Sequence, residues 1–422
     1  MFQTMQQCTD FIFQLKASSY KGAPLESAQK ILSALGHPEH KTKFVHFAGS
    51  NGKGSTLNAT REILMAHGLK VGAFTSPHLE RANERITINQ QEISDKQFLH
   101  YANAVVQAVQ DHLNGQFPSF FEIVTLIALQ HFAHEKIDIA LLETGIGGRL
   151  DATNVITPEV SVITTISLEH TDMLGDTYAL IAAEKAGIIK KGKPVVVGVE
   201  NQEALKVIRQ TALQQGAPLY LLHEAFHIER LQNGIFHYKE DSVITHIQPA
   251  MEGAHQQNNA ALAIKASQLI LGHLQEDTVR TALQRAKWQG RFERFGQQLI
   301  LDGAHNSEGT AALIQTLQQV EPTKKYHFLY AALQDKDHSV SIQMMERIAT
   351  ALYFTTIPMP RAASAQVLAD QSEHFNKQVV EDWAHFLTEK LPQLAQDEVL
   401  IVTGSLYFIG EVRTFLKERG MR

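Results

Sequence analysis

A single cysteine, Cys8, stands in the 422 residues, which excludes a disulfide framework. Long apolar runs are also missing. None approaches the roughly 20 residues a bilayer crossing needs, so no membrane span is expected. Residues 1–10 hold no basic segment followed by an apolar one, so export is not indicated and a reducing cytoplasm is the expected compartment. Positive charge is scarce: a net charge of -6 argues against nucleic acid as a partner, because phosphate-backbone affinity rests on clustered Lys and Arg. Repeats of solenoid period and low-complexity tracts are absent as well. What is present, 44% hydrophobic and 19% charged residues, is the composition of a globular protein. At this length single cores stop growing and two domains are expected. The 21 histidines suit surface or satisfied interior positions better than ligand roles.

The chain is organised around Ala48-Gly49-Ser50-Asn51-Gly52-Lys53-Gly54-Ser55-Thr56, between an apolar run at 44–47 and a helix-like stretch at 57–67. Glycines let backbone N–H groups converge on an anion, the following helix offers its positive end, and a lysine adds a full charge. The regular Walker pattern needs Gly six residues before the Lys and Ser or Thr directly after it. Here those positions hold Phe47 and Gly54, so the loop is a variant P-loop.

Strand-like and helix-like stretches alternate from there. A buried strand at 69–75 runs into Ser76-Pro77, and Ser94 with Gln97 forms a capping-box signature before an amphipathic helix. A helix is expected at 120–134 and strands at 137–142, 160–166 and 194–199, with a helix at 177–187. Residues 219–247 suggest a small antiparallel piece, and helices follow at 257–271 and 277–286. Past a boundary placed near 295 the alternation restarts, with strands at 298–301, 326–333 and 399–403. The fold class is therefore α/β with two domains. Residues 1–295 form a mostly parallel, doubly wound sheet with the variant P-loop, and 296–422 a smaller C-terminal α/β domain.

Lys53, Ser76, Glu143 and His170 all fall at strand ends of the first domain, on the edge where open α/β sheets keep their ligands. Singly, a Ser-Pro is an ordinary turn and a strand-end Glu a structural group. Together they are what Mg-nucleotide chemistry uses, since Mg²⁺ takes oxygen ligands and keeps several waters; a His ligand is unusual for it.

Several motifs occur in a fixed order: Gly-Ser-Asn-Gly-Lys-Gly-Ser at 49–55, Thr-Ser-Pro-His-Leu at 75–79, Glu-Thr-Gly-Ile-Gly-Gly-Arg-Leu-Asp-Ala-Thr-Asn at 143–154, Glu-Lys-Ala-Gly-Ile at 184–188, Leu-Asp-Gly-Ala-His-Asn at 301–306 and Thr-Gly-Ser-Leu-Tyr at 403–407. They resemble the ordered signature of the folylpolyglutamate synthase and dihydrofolate synthase family of the Mur ligase superfamily. The likeness spans nearly the whole chain; Ser50 and Thr144 stand where family members often have Thr and Val.

The resemblance implies an ATP-dependent ligase that joins the amine of L-glutamate to a carboxylate of a folate or dihydropteroate, acting as a monomer. By this carry-over Asn51, Gly52, Lys53 and Gly54 hold the ATP phosphates, and Ser76, Glu143 and His170 bind Mg²⁺, two ions being expected. Asn259, Arg291 and Asp302 complete the nucleotide site. The pterin lies against Ser119, Phe120, Phe121 and Glu122, with Phe121 stacking, and against Leu150, Asp151 and Ala152. His305 and Ser405 are candidates for the glutamate. Lys185 is implied to react with CO₂, giving a carbamate whose oxygens serve the second Mg²⁺. That needs surroundings which lower its pKa, and the ordinary alternative is a lysine complementing a helix end.

An acyl-phosphate mechanism follows from these parts, with closure of the two domains expected to exclude water. The reading leans slightly to a bifunctional enzyme over one that only extends polyglutamate tails: Leu150, Asp151, Ala152 and Phe121 suit a dihydropteroate, although the same residues suit a reduced folate. A peptidoglycan-precursor ligase is less favoured because no additional UDP-binding domain precedes the loop at 49. A regulatory module without turnover requires the strand-end groups to be coincidental.

Overall fold

In the computed structural model, which describes residues 1–334 and 338–421, backbone contacts divide the chain into two units. One comprises Met1–Pro249 with Gln257–Ala286, the other Ala250–Gln256 with Lys287–Arg422. This division falls earlier than the boundary expected near 295, and it returns a short upstream segment to the second unit. Arg294 gives the local reason: its guanidinium reaches Glu252 at 3.1 Å and Glu321 at 2.6 Å.

The first unit contains β1 (Lys43–Ala48), β2 (Val71–Phe74), β3 (Ile86–Ile88), β4 (Gln91–Glu92), β5 (Ile139–Glu143), β6 (Val160–Ile163), β7 (Val195–Val197) and β8 (Leu219–Leu221). They form one sheet in the order β4-β3-β2-β5-β1-β6-β7-β8, parallel except for β3 and β4 at one edge. Every β1 residue after Lys43 is buried, as befits a strand covered on both faces. Val45 and Phe47 share a core with the helices Lys53–Ala66 and Ala254–Leu271. Phe44, Phe74 and Leu142 pack with Asp95–Leu113 and Phe120–His134, while Ile163, Val195 and Val197 pack with Tyr178–Ala186 and Gln202–Gln215.

The sequence periodicities account for these helices. Ser94 caps Asp95–Leu113 by accepting from Gln97 N, and the apolar stripe of Phe98, Tyr101, Val105, Val109 and Leu113 is buried. Phe120–His134, apolar nearly all round, is buried from Ile123 to Leu129. The small antiparallel piece is β9 (His227–Arg230), β10 (Phe236–Lys239) and β11 (Val243–Ile247); β8, expected within it, joins the large sheet beside β7.

The second unit holds β12 (Glu293–Phe295), β13 (Leu299–Leu301), β14 (Lys325–Tyr330), β15 (Ala349–Phe354), β16 (Lys377–Val379) and β17 (Glu398–Thr403), ordered β12-β13-β17-β14-β15-β16. Only β12 runs antiparallel to its neighbour. Among the described residues no helix is long and apolar enough to cross a membrane.

Candidate active site

Strand register decides which side chains meet. Phe47 pairs with Glu143, Ala48 with Ile163 and Phe74 with Leu142, so β1, β2, β5 and β6 end level with one another. The chain leaves β1 towards β2 on one side and crosses from β5 to β6 on the other. That reversal opens a crevice at the carboxyl edge.

The glycine-rich loop at 49–54 occupies this edge as a backbone structure. Gly49 has φ 148° and Gly52 φ 87°; a Cβ at Gly49 would lie 1.9 Å from Thr164 Oγ1, and one at Gly52 2.5 Å from Asn259 Oδ1. Both positions therefore require glycine. The exit of β6 clamps the loop: Ser50 N donates to Thr165 O, Asn51 N to Thr165 Oγ1 at 2.9 Å, and Thr164 Oγ1 to Asn51 O at 2.6 Å. Lys53 Nζ folds back onto Gly49 O at 2.7 Å and Ser50 O at 3.3 Å. Thr164 and Thr165 were not singled out from the sequence, because the strand expected at 160–166 enclosed them, whereas β6 ends at Ile163.

Beside the loop, Ser76 N donates to Glu143 Oε2 at 3.1 Å, and Glu143 is only 5% exposed at the tip of β5. His170 is exposed and begins the short helix Thr171–Leu174 at φ 49°. Lys185 is buried at 2% exposure with its Nζ 3.2 Å from Glu169 Oε1. Burial first, and the Lys53 charge in the same direction, push the Lys185 ammonium down to about 8, against the opposing pull of Glu169 and Asp151. The lowered pKa expected for this residue is present, with desolvation as its main cause. Glu169 was passed over in the sequence because only the fold turns it towards a lysine sixteen residues on.

The segments expected to meet the pterin divide in two. Phe121 lies against the loop after β5, where a Cβ on Gly145 would be 2.9 Å from its ring, and 5.6 Å from Phe74. Phe120 packs 5.0 Å from Phe13, with the Arg85 guanidinium 5.0 Å over its ring. Ser119 and Glu122 instead form a capping box: Ser119 N donates to Glu122 Oε2 at 2.8 Å, and Ser27 Oγ donates to Glu122 Oε1 at 3.0 Å. Leu150 is 47% exposed and Ala152 buried. The Asp151 carboxylate is turned inward. One oxygen accepts from Gly145 N (2.8 Å) and Ile146 N (3.0 Å), the other from Thr153 N (3.0 Å) and Thr153 Oγ1 (2.5 Å). These donors fill its lone pairs.

Thr153 Oγ1, donating to Asp151, must accept from His46 Nε2 at 2.7 Å. His46 is fully buried on β1, and burial with the Lys190 charge holds it down to about 3, so the imidazole is neutral. A hydrogen-bonded chain thus runs from the central strand to the loop that follows Glu143, and no sequence spacing pointed to it.

In the second unit the loops after β13 and β17 meet: Gly404 N donates to Ala304 O at 3.0 Å. Asp302 accepts from Phe292 N (2.8 Å) and Ala304 N (2.9 Å); burial raises its carboxyl pKa, which the Arg291 charge opposes. A Cβ on Gly303 would lie 2.2 Å from Arg291 Nη1, so Arg291 and Asp302 share one corner. His305 Nδ1 is 2.8 Å from Gly303 O, and Ser405, 3% exposed, precedes the helix Leu406–Glu418.

Residues 47–267 match the Mur ligase middle domain and residues 290–406 the Mur ligase glutamate ligase domain. A dihydrofolate synthase/folylpolyglutamate synthase of Bacillus subtilis is 39% identical, over 99% of this chain and 100% of its own length. The structure of Escherichia coli FolC in complex with DHPP and ADP superposes with a TM-score of 0.91 at 26% identity, covering 99% of each chain. A bifunctional folylpolyglutamate synthase/dihydrofolate synthase with Mn, AMPPNP and L-glutamate bound gives a TM-score of 0.88 at 31% identity, covering 98% of each. The chain belongs to the dihydrofolate synthase/folylpolyglutamate synthase family of Mur ligases, and is an ATP-dependent ligase.

Proposed function

We propose that this chain adds L-glutamate to the carboxylate of both dihydropteroate and reduced folates, consuming ATP, as a bifunctional enzyme. The observation that carries the reading is the level register of β1, β5 and β6, which gathers Lys53, Glu143 and the Glu169–Lys185 pair at one edge. The relatives with DHPP and ADP, and with Mn, AMPPNP and L-glutamate, support the same substrates for this chain.

In this reading Asn51, Gly52, Lys53 and Gly54 hold the ATP phosphates, with Asn259 beside Gly52. Arg291 and Asp302 serve the nucleotide from the second unit, and His305 and Ser405 the glutamate. Phe121 stacks on the pterin, while Ser119, Glu122 and Asp151 hold the walls of its site rather than the ligand. Ser76, Glu143 and His170 fit a divalent cation, because Glu143 is a buried carboxylate at a strand tip that a cation would neutralise. When bound, such an ion neutralises charge on the phosphates.

A carboxylate is a poor electrophile, so its oxygen first attacks the γ-phosphorus, the bond to the ADP oxygen breaks, and an acyl phosphate forms. Lys53 and the N–H groups of the loop stabilise the negative oxygens in transit. The glutamate amine then adds to the acyl carbon, loses a proton, and the tetrahedral adduct expels phosphate to leave the amide. Lys185 is proposed to take up CO₂ as a carbamate, exchanging a positive charge for two oxygen donors. With its ammonium lowered to about 8, roughly a tenth is neutral at pH 7, against less than about a thousandth for an ordinary lysine.

ADP release measured with glutamate and, in separate reactions, dihydropteroate and tetrahydrofolate tests the reading. Turnover with both acceptors is expected. Turnover with tetrahydrofolate alone reduces the function to tail extension, and turnover with neither removes the ligase assignment for these substrates.

A further inference from the structure

The turn that feeds β1 carries another group of chemistry-bearing side chains, at the opposite end of the strand from the phosphate loop. After the helix Glu26–Ala34, Gly36 and His37 take φ of 75° and 53°, and Pro38–His40 makes a single 3₁₀ turn. The backbone thereby folds His37, Glu39 and His40 onto one point, with ligating atoms all within 4.8 Å of one another. His37 Nδ1 is 2.8 Å and His40 Nε2 3.6 Å from the same oxygen, Glu39 Oε1. The imidazole rings lie parallel, 5.0 Å apart with 10° between planes.

Glu39 is the telling residue. Its side chain is 6% exposed while the flanking imidazoles are 49% and 72% exposed, and its second oxygen, Oε2, is buried without a hydrogen-bond partner. A buried carboxylate needs a cation or a full set of donors. A hydrogen-bonded pair of surface histidines, the ordinary reading, satisfies Oε1 and leaves Oε2 orphaned. A divalent ion seated between the imidazoles and the carboxylate offsets the buried negative charge.

We propose that His37, Glu39 and His40 form a transition-metal site of the zinc type, with water filling the remaining positions. Imidazole nitrogens with one carboxylate suit Zn²⁺ and its neighbours in the Irving–Williams order, and disfavour Mg²⁺ and Ca²⁺, which take oxygen donors. The site lies a strand length, roughly 20 Å, from the phosphate loop. The ion therefore binds the folded turn and stabilises it without entering the reaction.

The test uses the full chain, stripped with chelator, returned to excess magnesium and titrated with zinc chloride. Wild type is compared with the double variant His37→Asn/His40→Asn, which alters exposed side chains only, and with Glu39→Gln. Wild type is expected to retain about one more zinc per chain than the double variant after gel filtration. It should also show a zinc-dependent rise in Tm that the double variant lacks, with equal ligase activity for both in magnesium. Cobalt soaked into the wild type should give visible absorption that the double variant does not. Equal zinc content and equal thermal response in wild type and double variant overturn the proposal, whatever becomes of Glu39→Gln.

Discussion

Lys185 shows how much a single buried amine can constrain. An unfolded chain holds its proton up to about 10.5, while the folded one releases it near 8. Between those values the unfolded state binds more protons, so Lys185 favours folding increasingly as pH rises through that window and costs most below it. Thermal unfolding of wild type and Lys185→Met at pH 7.5 and 9.5, free of CO₂, should show wild type gaining on the variant at the higher pH; a constant difference would mean that the ammonium stays paired with Glu169 throughout. In turnover, Lys185→Ala should be nearly inactive and partly restored by short carboxylic acids standing in for a carbamate. Activity close to wild type would return the residue to a helix-end role. Lys53→Ala should lower ligation by at least about 100-fold with the circular dichroism unchanged, because this lysine contributes charge and its ammonium donates to the loop carbonyls of Gly49 and Ser50. Glu143→Gln should raise the magnesium needed for half-maximal rate, since an amide is a weaker ligand for a hard cation than a carboxylate. An unchanged magnesium curve would take Glu143 out of the metal site.

At the scale of elements, the start of Phe120–His134 separates two roles that one motif can have. Ser119 caps this helix in a reciprocal pair with Glu122, so Ser119→Ala should cost about 1 kcal/mol of stability, read from denaturant unfolding, with little change in KM for the pterin acceptor. A raised KM at unaltered stability would assign Ser119 to the ligand instead. The loop after β5 is likewise built from within. Asp151 gathers the N–H groups of Gly145 and Ile146, and Thr153 passes the arrangement on to neutral His46 in the central strand. The elements holding Glu143 in place are thus fastened both to one another and to the core.

At the scale of the molecule, each unit has its own core: Val45, Phe47 and Leu141 lie in one, Phe328, Ile401 and Leu352 in another. Unfolding is expected to depart from a single two-state step, with the calorimetric enthalpy exceeding the van't Hoff value. Equality of the two would establish one cooperative unit.

Periodicity and punctuation were enough to read the α/β alternation, the glycine-rich turn at 49–54 and the capped helices. These depend on neighbours in sequence: Ser94 and Gln97 are a turn apart, and Gly49 to Lys53 are consecutive. The ordered motifs carried the family for a similar reason, since local segments fix each loop's chemistry. What needed the tertiary structure were relations between distant residues. Strands β3, β4 and β12 are short and weakly patterned, and β8 has the same run of apolar residues whichever sheet it joins. The Glu169 partner of Lys185, the inward turn of Asp151 and the neutral His46 depend on burial and on which strands lie side by side. Desolvation and hydrogen bonding across the sheet, which act only once the chain is packed, decided those.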